Sequence, residues 1–264
     1  MDGVIYLSDD RIEGAAEALA RLQMLGIPYY FITNNSRHSP EELAFKLQRM
    51  GIDAGPDQVV SGVTASVDCV RDLIAPPASV LVMGSTPLLH NLEQAGYAIA
   101  DWVGGFVPDV VVVGVDFGLT YQRLARATRA IWPGGARFVA VNADGVYPTP
   151  DGPLPGAGAI AKAIAHVTGV EPVIVGKPAP RMFLSVIQRA GCTPADLVVV
   201  GDLLEVDIAG ANAFGATSVF VLTGSGRSDQ LDQAPKEHVP AYVIDTLFDL
   251  PLDKLLAPAV VTAR

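Results

Sequence analysis

The sequence predicts an α/β protein: a doubly wound, Rossmann-like parallel sheet with a second α/β unit inserted into it as a cap. Three observations predict this. Six short apolar runs rich in β-branched residues recur along the chain: "SVLVM", "DVVVVGV", "RFVAV", "PVIV", "LVVVG" and "SVFVL". They are near-continuous rather than alternating, as suits strands covered on both faces. Helical segments separate them with short turns, the grammar of parallel sheets. Finally, Pro-rich or turn-rich breaks at "APPA" (75–78) and "GVEP" (169–172) bracket a middle third that repeats the grammar independently.

Taken in order, "YYFIT" (29–33) reads as a strand. After it, "SPEELAFKLQRMG" (39–51) carries the marks of a helix: Ser39 as N-cap, Pro40 at the first helical position, acids in the first turn and Gly51 as a stop. A further helix runs through 63–74. In the middle third, "SVLVM", a helix near 86–95, "DVVVVGV", the helix "YQRLARATRAIW", "RFVAV" and a helix from Gly158 to about His166 form one small α/β unit. Beyond "GVEP" come "VIV", the helix "APRMFLSVIQRAG", "LVVVG", the helix "DIAGANAFG" and "SVFVLTG". The expected organisation is a core of 1–75 plus 173–264 with 76–172 inserted as the cap.

Composition narrows the function classes. The 264 residues carry a net charge of −10, with no Lys/Arg cluster, so nucleic acid is not an expected partner. Although 50% of residues are hydrophobic, no uninterrupted apolar stretch approaches the ~20 residues of a membrane span. Cys69 and Cys192 are far apart, and His38, His90, His166 and His238 are scattered, so neither a disulfide framework nor a zinc site is expected. No basic-then-apolar leader is found, and the expected compartment is the cytoplasm.

In open parallel sheets, ligands bind beyond the carboxyl ends of the strands. The residues there are not random. "YYFI" ends in Thr33-Asn34-Asn35-Ser36, "PVIV" in Gly176-Lys177-Pro178, and "LVVV" in Gly201-Asp202, with Asp207 five residues on. One tip offers a hydroxyl and amides, one a cation, one a pair of carboxylates. Brought to one crevice, they would suit a phosphate and a divalent metal, with Asp202 and Asp207 as hard oxygen ligands and Lys177 and Thr33 on phosphate oxygens. The opening "MDGV" adds Asp2 and Gly3, as if leaving another strand tip. Residues i and i+2 of a strand share a face, so an Asp-x-Asp motif would present two carboxylates to one ligand. Asp2 would be the second of them, with Met1 as x.

Together these motifs resemble the haloacid dehalogenase-like phosphatases, in their NagD-type, p-nitrophenyl phosphatase-like branch (subfamily IIA). The first motif of that family matches "MDGV" from its second position onward; the others match "FITNNS", "VGKPAP" and "VVVGDLLEVDIAGANAFG". "NADGVYPTPDGPLPGAGA" (142–159) resembles the branch's cap loop. The fourth motif departs at Leu203 and Val206, where a polar residue and Thr are usual. The resemblance implies a Mg²⁺-dependent phosphomonoesterase acting on a small phosphorylated metabolite through an aspartyl-phosphate. On it, Asp2 is the general acid and base and ligates Mg²⁺ through its carbonyl. Thr33 and Lys177 bind and neutralise the phosphoryl group, while Asn34 and Asn35 shape and line the phosphate loop. Asp202 and Asp207 hold the metal. Asn142, Asp144 and Tyr147 on the cap loop face the leaving group, and the branch's habit implies a homodimer through the cap.

The nucleophilic aspartate of that motif would stand immediately before Met1. The expectation is therefore that the full protein begins upstream, and that these 264 residues alone do not hydrolyse phosphomonoesters. The alternative is a catalytically silent protein of the same fold that binds phosphate or metal.

Overall fold

A computed structural model describes residues 1–103, 106–149 and 151–256. Packing divides them into two units: Met1–Tyr29 together with the segment from Ala190 onward, and the middle unit Tyr30–Arg189.

The first unit opens with two short antiparallel strands, β1 (Tyr6–Leu7) and β2 (Asp10–Arg11), with Tyr6 opposite Arg11. Helix α1 (Ala15–Met24) follows and buries Ala15, Ala18 and Leu19, one stripe at helical spacing.

The middle unit begins with β3 (Phe31–Thr33), α2 (Pro40–Arg49), β4 (Val59–Ser61) and α3 (Gly62–Leu73). Strands β3 and β4 pair in parallel, Thr33 opposite Ser61. The start of α2 is as expected: the Ser39 hydroxyl accepts from Glu42 N–H (3.2 Å), and the Glu42 carboxylate accepts from Ser39 N–H (2.8 Å). Then come β5 (Ser79–Met83), α4 (Thr86–Gln94), β6 (Ala98–Ile99), β7 (Val110–Val113), α5 (Tyr121–Ile131), β8 (Arg137–Ala140), β9 (Val146–Thr149), β10 (Gly152–Pro155), α6 (Ala157–Thr168), β11 (Val173–Ile174) and α7 (Arg181–Ala190). Five of these strands make a parallel sheet in the order β11-β8-β7-β5-β6. Val110 to Val113 are all fully buried, which explains their continuous apolar character: Val111 and Val113 pack with α5 and α6 residues such as Ile131 and Ile164. Burying each valine contributes roughly 1.5–3 kcal/mol.

The chain then returns to the first unit with β12 (Val198–Gly201), a π-helical turn (Leu204–Ile208), α8 (Ala209–Phe214), β13 (Thr217–Val221), β14 (Tyr242–Ile244) and α9 (Leu252–Leu255). Strands β12, β13 and β14 are parallel in that order, Gly201 opposite Phe220 and Val221 opposite Ile244. Leu204 and Ile208 of the π turn pack on Phe220, so the turn is anchored in the core.

Two local findings differ from the sequence expectation. The strand expected over 29–33 starts at Phe31. The loop expected over 142–159 contains a hairpin, β9 against β10, with Val146 opposite Pro155 and Thr149 opposite Gly152; Pro150 lies outside the described residues. The expected core and cap boundaries, 75/76 and 172/173, both fall inside the middle unit. The reason is local: β3 and β4 hydrogen-bond to one another, and α3 beside them packs on α4 and β8. Among the described residues, no helix is long and apolar enough to cross a membrane.

Candidate active site

Each unit carries one part of the expected site: Asp2, Asp202 and Asp207 in the first, Thr33, Asn34, Asn35, Asn142, Asp144 and Lys177 in the middle.

In the first unit, Asp202 follows the carboxyl end of β12 and is 7% exposed. Its Oδ2 accepts the Ser225 N–H at 2.8 Å. Burial pushes its carboxyl above the ordinary carboxylate range and the nearby Asp207 adds to this; the Ser225 N–H and the α-ammonium of Met1 pull the other way. Two glycines make the space around it. Gly3 has φ +74°, and a Cβ there would lie 2.3 Å from Asp202 Oδ2; one at Gly224 would lie 2.1 Å away. The Asp2–Gly3 turn is fixed against this cradle by Gly3 N–H to Tyr6 O (2.9 Å), Ile5 N–H to Met1 O (2.9 Å) and the Thr223 hydroxyl to Gly3 O (2.7 Å). Asp2 itself is exposed, and its charge adds to the upward push that burial gives the Tyr6 phenol.

Asp207 sits in the π turn and is 5% exposed, its Oδ2 accepting the Leu203 N–H at 3.2 Å. The Leu203 carbonyl receives both Asp207 N–H (2.8 Å) and Ile208 N–H (3.2 Å), the one-residue bulge that defines the turn. Leu203, the departure noted in the sequence, serves Asp207 through its backbone while its side chain is 41% exposed. Among the described residues, no three His, Cys, Asp or Glu side chains converge as a metal-ligand set. The donor chemistry nevertheless fits a hard divalent cation. Two buried carboxylates lie close together, and one of them sits in a cradle that a single Cβ would fill.

In the middle unit, Asn34 ties the other residues together. Its Oδ1 accepts the Lys177 N–H (2.9 Å), and its Nδ2 donates to Lys177 O (3.1 Å) and to Asp144 Oδ2 (3.4 Å). Its carbonyl accepts from Asn142 Nδ2 (3.0 Å), and Asn142 Oδ1 accepts the Asp144 N–H (3.2 Å). Thr33 Oγ1 accepts the Asn35 N–H (3.2 Å), which leaves the hydroxyl hydrogen to be donated elsewhere. Asn35 Oδ1 accepts the N–H groups of Arg37 (2.9 Å) and His38 (3.0 Å), closing the turn into α2. Lys177 follows β11, placed there by Gly176 N–H to Val141 O (2.7 Å). The structure thus gathers Asn34, Asn142, Asp144 and Lys177 directly, with Thr33 and Asn35 in the same loop. It also places Tyr147 against Arg37 and Phe117, two residues the sequence reading did not single out. The available signal was Arg37's place in "TNNSRHS", three residues after Asn34.

Residues 1–98 match a family model described as haloacid dehalogenase-like hydrolase, and residues 174–250 match a second, HAD-hydrolase-like model. The two matches take in Asp2, the Thr33 loop, Lys177, Asp202 and Asp207. An acid sugar phosphatase of Staphylococcus aureus is 35% identical over 240 residues, covering 91% of this chain and 90% of that protein. The chain belongs to the haloacid dehalogenase-like hydrolases.

Within that family it groups with the p-nitrophenyl phosphatase-like branch. The p-nitrophenyl phosphatase of Archaeoglobus fulgidus is 34% identical with a TM-score of 0.86, covering 94% of each chain. The glycerol phosphate phosphatase of Mycobacterium tuberculosis, solved in complex with magnesium, is 32% identical with a TM-score of 0.84, covering 94% of this chain and 73% of the other. This haloacid dehalogenase-like hydrolase shares their α/β, Rossmann-like fold.

Proposed function

We propose that this protein is a Mg²⁺-dependent phosphatase hydrolysing a small phosphorylated metabolite. The observation that carries this reading is the Asp202 cradle: a buried carboxylate with its ordinary pKa pushed up, between two glycines and beside a second buried carboxylate. Only a cation makes two such charges compatible with an anionic substrate. Magnesium-bound and calcium-bound forms of the M. tuberculosis relative support the same choice.

Bound through Asp202, Asp207 and the Asp2 carbonyl, Mg²⁺ would neutralise charge on the phosphoryl oxygens. The chain's own residues do the rest. The Thr33 hydroxyl donates to one phosphoryl oxygen, and the Lys177 ammonium offsets the charge between phosphate and attacking carboxylate. Asn34 holds the Lys177 backbone in place. A carboxylate at the position immediately before Met1 attacks phosphorus, and the ester P–O bond breaks as Asp2 gives its proton to the leaving alkoxide. Asp2, now a carboxylate, takes a proton from water, whose oxygen attacks the acyl phosphate and releases inorganic phosphate. Residues 76–172 serve as the cap that selects the leaving group.

On this reading the 264 residues alone bind phosphate without turning it over. The test is hydrolysis of p-nitrophenyl phosphate with Mg²⁺. A chain carrying a strand that ends in Asp before Met1 is expected to be active, and the 264-residue chain is not. In the extended chain, Asp2→Asn or Asp202→Asn is expected to lower kcat by about 10²-fold or more. Turnover by the 264-residue chain would overturn the assignment of the nucleophile. An extended chain indifferent to both substitutions would overturn the site.

A further inference from the structure

Among the described residues, two of the partly buried arginines of the middle unit pair with carboxylates and two, Arg126 and Arg37, do not. Arg123 pairs with Asp116 (3.0 Å), Arg181 with Asp72 (2.8 Å), and Arg126 donates to the Phe106 carbonyl. Arg37 is half-buried, yet among the described residues no carboxylate pairs with it. It lies instead on aromatic rings. Its guanidinium carbon is 3.9 Å from the centroid of Phe117 and 5.7 Å from that of Tyr147, and the two rings meet edge to face at 5.8 Å and 78°. One long contact, Nη1 to the Tyr147 hydroxyl at 3.5 Å, is its side-chain hydrogen bond.

A guanidinium whose carbon lies over a ring face still carries its N–H donors as a planar fork. Such a fork matches a carboxylate or phosphate bidentately. Its surroundings are those of the phosphate loop. Arg37 is three residues past Asn34, and its own N–H is fixed by Asn35 Oδ1 (2.9 Å). Tyr147 is three residues past Asp144, which Asn34 Nδ2 contacts at 3.4 Å. Phe117 remains 59% exposed while carrying the guanidinium, so the platform is open on a side that a ligand can reach. A half-buried cation that pairs with no carboxylate among the described residues can take its anionic partner from a ligand.

We propose that Arg37, set on the Phe117–Tyr147 platform, is a specificity-determining residue that receives a second anionic group on the leaving alcohol. Preferred substrates are then phosphomonoesters whose alcohol carries a carboxylate or a further phosphate. This rests on the phosphatase reading above and deepens it by naming the substrate class. Tyr147 supplies the hydroxyl beside the fork, and Phe117 carries the guanidinium on its ring.

The experiment uses calorimetry on the 264-residue chain with Mg²⁺ and three probes. Inorganic phosphate reports the phosphate loop alone, glycerol phosphate adds a neutral alcohol, and 2-phosphoglycolate adds a carboxylate. The expected result is that 2-phosphoglycolate binds about tenfold more tightly than glycerol phosphate, the effect of one charge-assisted contact. Arg37→Met is expected to erase that ratio while inorganic phosphate binds as before, and Arg37→Lys to restore part of it. Phe117→Leu, which keeps the charge and removes the platform, is expected to shrink the ratio. Equal affinities for the two esters in the unsubstituted chain, or a ratio that survives Arg37→Met, would overturn the proposal while leaving the phosphatase reading intact. So would a parallel fall for all three probes, which marks Arg37 as a structural clamp only. Failure of inorganic phosphate itself to bind would remove the phosphatase reading, and this inference with it.

Discussion

One amide side chain, that of Asn34, makes three hydrogen bonds, two of them to the backbone of Lys177. That geometry explains why an Asn, rather than another polar residue, stands there: both its oxygen and its nitrogen are required. Asn34→Asp keeps the shape and the acceptor but removes the donor, and turns a carboxylate toward the Lys177 carbonyl and Asp144. It is expected to destabilise the protein by about 1–3 kcal/mol, seen as a lower melting temperature, and to weaken phosphate binding. Unchanged melting and unchanged phosphate affinity would refute this role for Asn34. Gly3 makes a similar demand for a different reason. An alanine there would combine a left-handed backbone with a Cβ 2.3 Å from Asp202 Oδ2. The expected cost is about 1–3 kcal/mol in stability, together with loss of Mg²⁺ affinity in a titration. Both residues were visible in the sequence as members of motifs. Asn34's partners were not, because Lys177 and Asp144 lie more than a hundred residues away and only the fold joins them.

Among the elements, the parallel sheet of the middle unit shows how a register is set. Asp109 lies just before β7, and its Oδ2 accepts both the N–H and the hydroxyl of Ser79 at 2.8 Å, at the start of β5. Those bonds hold its carboxyl below the ordinary carboxylate range. A carboxylate with a lowered folded pKa stabilises the fold above its unfolded pKa, and that stability is lost as pH falls through the folded value. Stability attributable to Asp109 is therefore full at neutral pH and disappears only in strong acid. Asp109→Ala is expected to cost about 1 kcal/mol at pH 7, kept small by exposure of the group. The gap to the unsubstituted protein should close as the pH drops below the usual carboxylate range. A gap that stays constant well below that range would contradict the assignment. The strands themselves were legible because valine runs buried on both faces need no alternation. The β9–β10 hairpin was not: Pro148, Pro153 and Pro155 make its strands read as turn. The Arg37 platform was hidden in the same way, since its three members come from separate loops and strands that no local spacing links.

At the scale of the whole molecule, the surplus of ten negative charges sets the terms on which an anionic ligand is accepted. Mg²⁺ is expected to stabilise the protein by mass action, about 2.7 kcal/mol at a hundred times its Kd, read as a rise in melting temperature over the EDTA-treated form. Asp202→Asn should remove that rise. Identical melting with Mg²⁺ and with EDTA would sink the metal assignment. The fold class and the strand-tip residues were legible from the chain alone because both follow from local patterns, apolar runs and what ends them. The packing division was not, because it depends on which strands find one another. The π turn after β12 has a consequence for how this protein can change over evolutionary time. It holds one residue more than an α-helical turn would, so Asp207 faces where it does by a rotational setting of the backbone. Removing a single residue such as Val206 would turn the bond from Ile208 N–H to Leu203 O into an ordinary α-helical one, and the bulge that brings the Asp207 carboxylate to the Leu203 N–H would go with it. This segment is thus a fixed-length gauge that tolerates exchange of side chains but neither gain nor loss of a residue.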